Sequence, residues 1–460
     1  MSLNPDSRRP VILFRTGWIL LLVLLTTGTV SAEPVIRFAE EIFPELRGLM
    51  ETAVQKGGEF RLNALQVEER QGELDVAKGQ RRPSVDLHAR VLGAYEIRED
   101  IDNDTSADLY GRFTMTQPLY HWGRLERRQS IAENRVALEE GEYRQKGTRH
   151  FMDLRRAYLE WLLMREHRTI LEQSIRLSGS YVEARTQLVQ AGRASEQDLL
   201  EMEAWLMENR EGLARISKRV RELELRIEQL VGSPVDFSLL GERSLALIEP
   251  MAEEQLLQWM DRENRAPEDL WNPHAEYFSM QKTIQDEQLE ILDKNHWPTL
   301  DFVSGVFTDQ LDSINQQDSV LRVRFYAGLQ VNWNIFDGWQ TDGYKRTTLA
   351  RKRAFALREE RARDESRQRF RSLLADLQLN LKQIEAREKR EQILARRVEL
   401  LRQQAQRDQA TDTDLIGGEI DYLEVRQRLM EARVHYLVNL MELGILLGKD
   451  PAETYFRSES

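Results

Sequence analysis

Three features of this 460-residue sequence predict a mainly α-helical fold with transmembrane β-strands, built from a duplicated strand–strand–long helix–helix unit. They are an internal repeat, two long stretches without proline, and strands of strict two-residue alternation. The repeat is the firmest. Arg82-Pro83-Ser84-Val85-Asp86-Leu87 returns 215 residues later as Trp297-Pro298-Thr299-Leu300-Asp301-Phe302. Gln117-Pro118-Leu119-Tyr120, ahead of Gly123, returns as Trp333-Asn334-Ile335-Phe336 ahead of Gly338. Asp198-Leu199-Leu200 returns as Asp414-Leu415-Ile416, and Leu230-Val231-Gly232 as Leu446-Leu447-Gly448, both offset by 216. Landmarks in one order at one spacing mark a duplication. The two units span 33–234 and 273–448, with a linker at 235–272 and a tail at 449–460.

Residues 1–32 read as a signal peptide. Arg8, Arg9 and Arg15 form a basic n-region, Trp18 to Leu25 a short apolar core, and Val30-Ser31-Ala32 a cleavage site. The apolar run is well short of the ~20 residues a helical span needs. Cleavage removes three arginines and one aspartate, taking the net charge from −12 to −14. So acidic a chain is no general nucleic-acid binder, which needs a basic surface. Without cysteine it has no disulfide, thiolate metal site or lipidated N-terminal cysteine.

Proline is absent between Pro118 and Pro234 and between Pro298 and Pro451, so long helices are permitted there. One is expected over 124–190, ended by Ala191-Gly192, and a second over 195–231, capped by Ser195 and stopped by Gly232-Ser233-Pro234. The later copy repeats the plan over 341–406 and 413–447. Each longer helix would reach roughly 100 Å. Leu213, Ile216, Val220, Leu223, Ile227 and Leu230 step by threes and fours, as in a coiled coil. The matching stripe is Leu429, Ala432, Tyr436, Asn439, Leu443 and Leu446.

Strands are expected over 84–98, 108–119, 299–308 and 320–336. In the last, Leu321, Val323, Phe325, Ala327, Leu329, Val331, Trp333 and Ile335 alternate with Arg322, Arg324, Tyr326, Gly328, Gln330, Asn332 and Asn334. Such alternation suits a soluble sheet or a barrel in lipid. Length decides for the barrel, since soluble strands usually run ~5–6 residues and membrane-crossing ones ~9–11. Four strands cannot close, and open edges in lipid leave backbone groups unsatisfied. Two chains would give a filled eight-stranded barrel; three would give twelve strands and a lumen. The helices would continue that barrel as a coiled-coil tunnel into the periplasm, with a polar and mostly acidic lining.

In these residues the chain resembles the TolC-type outer-membrane efflux proteins over essentially all of its mature length. The resemblance is carried by the duplicated plan, the proline before the first strand of each copy, Gln-Pro-Leu-Tyr-His-Trp-Gly at 117–123, and Gly-x-x-Ser-x-x-Asp-Leu at 192–199. It implies a homotrimer in the outer membrane with a 12-stranded barrel and a periplasmic α-helical tunnel. It also implies an equatorial region from helical segments near 235–272 and the C-terminal end. As partners it implies a periplasmic adaptor and an inner-membrane transporter of RND or ABC type, and it implies no cofactor.

The helix turns near 190–198 and 406–414 would form the periplasmic tip. Asp408, Asp412, Asp414 and Glu419 cluster at one turn, and Glu196, Asp198 and Glu201 at the other. In a trimer an inward carboxylate becomes a ring of three that concentrates cations; the alternative is that these acids cap helices and meet the dipole. By resemblance Asp414 is the leading aperture residue, with Asp412, Asp408 and Asp198 as further gate candidates. Gly192 and Arg193 are candidates for adaptor docking, and Arg322, Arg324, Gln330 and Asn332 for the barrel lumen. The best-known family gate is not reproduced: its tyrosine, arginine and second aspartate fall on Ala405, Ala410 and Gly417, and Asp408 replaces a tip glycine. A differently locked aperture is therefore expected.

Other classes fit less well. The chain has no nucleophile elbow, Walker loop or His-Glu-x-x-His, and its seven histidines are scattered, so an enzyme is not expected. A soluble periplasmic scaffold or adaptor is the rival reading. The cargo, whether drug, metal cation or polypeptide, is set by the transporter, with the acidic tip leaning toward cations.

Overall fold

The structure is a computed structural model that describes residues 36–96, 104–240, 243–251, 254, 256, 270–312, 319–407 and 412–456. The signal peptide at 1–32 lies outside the described residues. So does Asp408, together with most of the linker between 252 and 269.

Three helices precede the first strand: α1 (Ala39–Ile42), α2 (Pro44–Lys56) and α3 (Gly58–Gly79). Then come β1 (Ser84–Glu96), β2 (Asp104–Tyr120), α4 (Arg124–Gln190) and α5 (Glu196–Val231). The second half runs α6 (Pro273–Asp293), β3 (Thr299–Asp312), β4 (Ser319–Asn332), α7 (Gln340–Ala405) and α8 (Asp412–Leu446), closing on a 3-10 turn at Pro451–Phe456. Each strand pair is thus entered from a helix, α3 or α6, as well as left by one. The sequence reading omitted these entry helices, although Pro273 stands in the first turn of α6 and Asn272 caps it by accepting from the Ala275 N–H.

The four strands form one antiparallel sheet in the order β1-β2-β3-β4, so β1 and β4 are its edges. Among the described residues, β4 ends at Asn332 rather than continuing to 336. Two hydrogen bonds redirect the chain there. Trp333 Nε1 donates to the His296 carbonyl at 2.8 Å, and the His296 ring meets the Asn334 carbonyl at 3.1 Å.

Two consecutive left-handed residues turn each strand exit into its long helix. They are Trp122 (φ 57°) and Gly123 (φ 76°) in the first copy, Gly338 (φ 67°) and Trp339 (φ 65°) in the second. Glycine and tryptophan have exchanged places while the backbone is kept. A bulky residue in this region is strained by roughly 1–2 kcal/mol. Trp122 is held there by its Nε1 donating to the Pro298 carbonyl at 2.6 Å and by edge contact with Trp297 at 4.4 Å.

The helices pair as α4 with α5 and α7 with α8; α3 lies on α4, while α6 packs on both α4 and α7. The main core is at mid-height, where Phe38, Phe43, Leu46 and Met50 meet Phe151, Leu154, Tyr158, Trp161, Ile227, Leu373, Leu377, Met441 and Leu443. Arg155 is wholly buried in it. Its guanidinium pairs with Glu40 (Nε–Oε2 2.9 Å, Nη2–Oε1 2.5 Å) and Asp450 (Nη1–Oδ2 3.1 Å, Nη2–Oδ1 2.7 Å) and lies 4.7 Å from the Phe38 ring centre. Burial alone would disfavour its charge, but these hydrogen bonds outweigh that and raise its pKa above the ordinary arginine value. One cation thereby ties the N-terminal segment, α4 and the C-terminal turn together.

Candidate functional site

The sheet has two unlike faces, and register decides which residue lies on which. One face carries Val85, Leu87 and Val91 of β1, Phe113 and Met115 of β2, Leu300, Phe302 and Val306 of β3, and Val323, Phe325, Leu329 and Val331 of β4. Its edge-strand residues are open: Leu87 is 77% exposed and Phe325 79%. Contiguous apolar surface of this kind calls for a cover. Among the described residues no helix is long and apolar enough to cross a membrane. The strands, at 13 to 17 residues, exceed the length a tilted barrel strand needs.

The other face carries the four lumen candidates. Arg324 lies over the Phe307 ring at 5.4 Å, and Arg322 is the register partner of Asp309. Gln330 Nε2 donates to Asn332 Oδ1 at 3.0 Å, and Asn332 Nδ2 to Asp301 Oδ2 at 3.2 Å. His121, between β2 and α4, reaches the other Asp301 oxygen at 2.8 Å. Gln330, Asn332, Asp301 and His121 thus knit the end of the sheet nearest the long helices. Arg90 and Arg112 share this face, so here a mostly acidic lining is not what the register produces. Composition could not show that, because a chain-wide acid excess does not say which residues share a face.

At the far end of the helices, Gly192 is left-handed (φ 69°) and closes α4. The Gly192 N–H donates to the Val189 carbonyl at 2.9 Å and the Arg193 N–H to the Leu188 carbonyl at 2.8 Å. Nothing stands within 4 Å of where a Gly192 Cβ would be, and Arg193 is exposed beside it. Ser195 occupies the N-cap position of α5 but makes no side-chain cap bond. Asp198 is half-exposed and paired with Arg185 of α4, Oδ2 to Nη2 at 2.7 Å. That pair clips α4 to α5 at the turn and offsets the charge a ring at Asp198 would carry.

On the second turn, Asp414 lies exposed in the first turn of α8. Asp412 begins that helix, and only its backbone is described; Asp408 lies outside the described residues. Arg402 of α7 pairs with Glu419 of α8 at 2.7 Å, and Arg397 with Asp421 at 3.1 Å. Both tips are thus braced by arginine from the longer helix onto acid from the shorter one. Sequence reasoning missed these braces, though an arginine-rich end of one helix facing an acid-rich start of the next is a readable signal.

Residues 49–233 match the sequence model of the outer membrane efflux protein family. No curated protein sequence matches the chain. Among solved structures, the fold is similar to the CmeC outer membrane channel of Campylobacter jejuni, at a TM-score of 0.72 and 12% identity, covering 96% of this chain and 94% of that one. It is similar to the outer membrane protein VceC of Vibrio cholerae, at 0.69 and 14%, covering 89% and 97%. A third likeness is to the open state of the MtrE outer membrane channel of Neisseria gonorrhoeae, at 0.67 and 14%, covering 88% and 89%.

Proposed function

We infer that this chain, which has the fold of the TolC-type outer-membrane efflux proteins, is an outer-membrane channel assembled from three copies. The observation that carries this is the sheet with two open edges and one bare apolar face, continuous with helices about 100 Å long. In lipid the edges of β1 and β4 must be paired, and only another copy offers a matching edge. Three sheets of four strands give a barrel wide enough for a lumen. The apolar face then meets lipid and the polar face lines the passage. A soluble scaffold leaves the exposed rings and aliphatic chains of β1 and β4 unaccounted for.

The channel conducts passively and serves as exit duct for an inner-membrane transporter of RND or ABC type, coupled through a periplasmic adaptor. Gly192 and Arg193 form part of the docking tip. Asp414, Asp412, Asp408 and Asp198 border the aperture, and Arg322, Arg324, Gln330 and Asn332 line the barrel. What supports the tip assignment is the position of these residues at the two helix turns farthest from the sheet.

The test has two stages. The protein should resist carbonate extraction, show heat-modifiable gel mobility, and form channels in planar bilayers with a resting conductance that Asp414→Ala changes. Extraction by carbonate would overturn the channel reading; a closed pore insensitive to Asp414→Ala would overturn the acidic aperture alone. Cross-linking from Arg193 in cells, followed by mass spectrometry, should then capture an adaptor and its transporter. An RND pump indicates small-molecule or metal efflux, and an ABC transporter indicates polypeptide export.

A further inference from the structure

The polar face of the sheet concentrates arginine in one narrow band. Register sets His88, Arg112, Phe307 and Arg324 in a single row across all four strands. In the adjoining row, Arg90 stands opposite Tyr110 and Arg322 opposite Asp309. Rows on one face are about 7 Å apart, two residues of strand rise. Each chain therefore places four arginines in a band one row-spacing tall, with Asp309 as the acidic residue in register there. Asp86 lies in the row to one side and Asp108 in the row to the other.

Aromatic rings support these cations. The Arg90 and Arg112 guanidiniums lie over the Tyr110 ring at 5.7 and 5.4 Å, and Arg324 lies over Phe307 at 5.4 Å. His88 meets the edge of Tyr110 at 6.0 Å. A ring beneath a guanidinium takes up none of its N–H donors, which recognise oxyanions in a fork. It also holds a long side chain against the wall, so less entropy is lost when an anion binds.

We propose that the barrel lumen holds an arginine belt that binds multivalent oxyanions, that is, groups bearing phosphate or sulfonate. The belt rests on the channel reading, because the four arginines of each chain join those of two others only when the polar face turns inward. Low-dielectric walls focus the field of such a ring, and rings of arginine suit anion and phosphate pores. The barrel end of the passage is then basic.

The experiment uses the full-length protein in planar bilayers, with inorganic triphosphate added to the barrel side. Expected is a dose-dependent block of the potassium chloride current, weakened about 10-fold in Arg112→Gln/Arg324→Gln because two fork donors per chain are lost. Arg90→Gln alone, on an edge strand, should weaken the block about 3-fold and keeps the test open if the double variant fails to assemble. An open channel that triphosphate does not block, or blocks equally in all variants, overturns the belt and leaves the channel standing. No conductance from any preparation overturns the channel reading and the belt with it.

Discussion

Replacing Arg155 by methionine should loosen the whole mid-height core. The side chain is fully buried and makes four hydrogen bonds, two to Glu40 and two to Asp450, whose residues are themselves only 5% and 6% exposed. Methionine fills much of the volume but leaves two buried carboxylates facing apolar surface. Breaking a buried pair from one side costs about 3–5 kcal/mol, and two acids stranded at once put this case at the upper end. At ~2.1 cal/mol/K of unfolding entropy per residue, a chain of this length shifts by about 1 °C per kcal/mol, so the helical melt followed by circular dichroism should fall by about 5 °C. The C-terminal turn should also become sensitive to protease, since Asp450 holds it through both Arg155 and the Ala452 N–H. Adding Glu40→Gln and Asp450→Asn removes the stranded charges and should recover more than half of the loss. A melt of Arg155→Met indistinguishable from the parent protein would refute the claim that this cation holds the three segments.

His167 is buried, and burial depresses its pKa more than Glu431 and Glu166 raise it. Its Nδ1 accepts from Gln427 Nε2 at 3.4 Å. A histidine depressed in the folded state takes up its proton more readily when unfolded, so stability should fall as pH drops below about 6.5. His167→Gln should flatten that part of a pH–stability curve; an unchanged curve would show that other groups set it. Gly192→Ala meets no steric obstacle but must hold φ 69°, so it should cost about 1–2 kcal/mol locally. The readout is faster proteolysis at the turn with an unaltered global melt. Tyr436→Phe removes the hydroxyl that accepts the Met251 N–H at 3.0 Å, and a loss of roughly 1–2 kcal/mol is expected in the helical melt.

The long helices were legible because proline marks their limits and Gly192 and Gly232 their ends, signals that depend on the local backbone alone. Alternation in β4 read the face of each residue correctly but overran its end. Trp333 and Ile335 keep the pattern, yet pairing stops where His296 takes over their neighbourhood, a contact 37 residues away in sequence. The entry helices α3 and α6 carry no repeated landmark, since both end before Pro83 and Pro298, where the repeated motifs begin. The arginine band was hidden for another reason. Arg90, Arg112 and Arg324 sit on three different strands, and nothing along the chain states the register that aligns them. Arg185–Asp198 and Arg402–Glu419 likewise cross between helices.

The open edges of β1 and β4 have a genetic consequence. A chain whose β4 could not pair, for instance with proline in place of Phe325, would still offer a sound β1 edge to a neighbour and enter mixed trimers. One such member breaks ring closure for all three. With equal amounts of normal and altered chain, only about one assembly in eight would be made wholly of normal chains. An altered copy expressed beside the normal one should therefore suppress transport far more than its share of the protein, and dosage would expose the subunit number without any structure of the assembly.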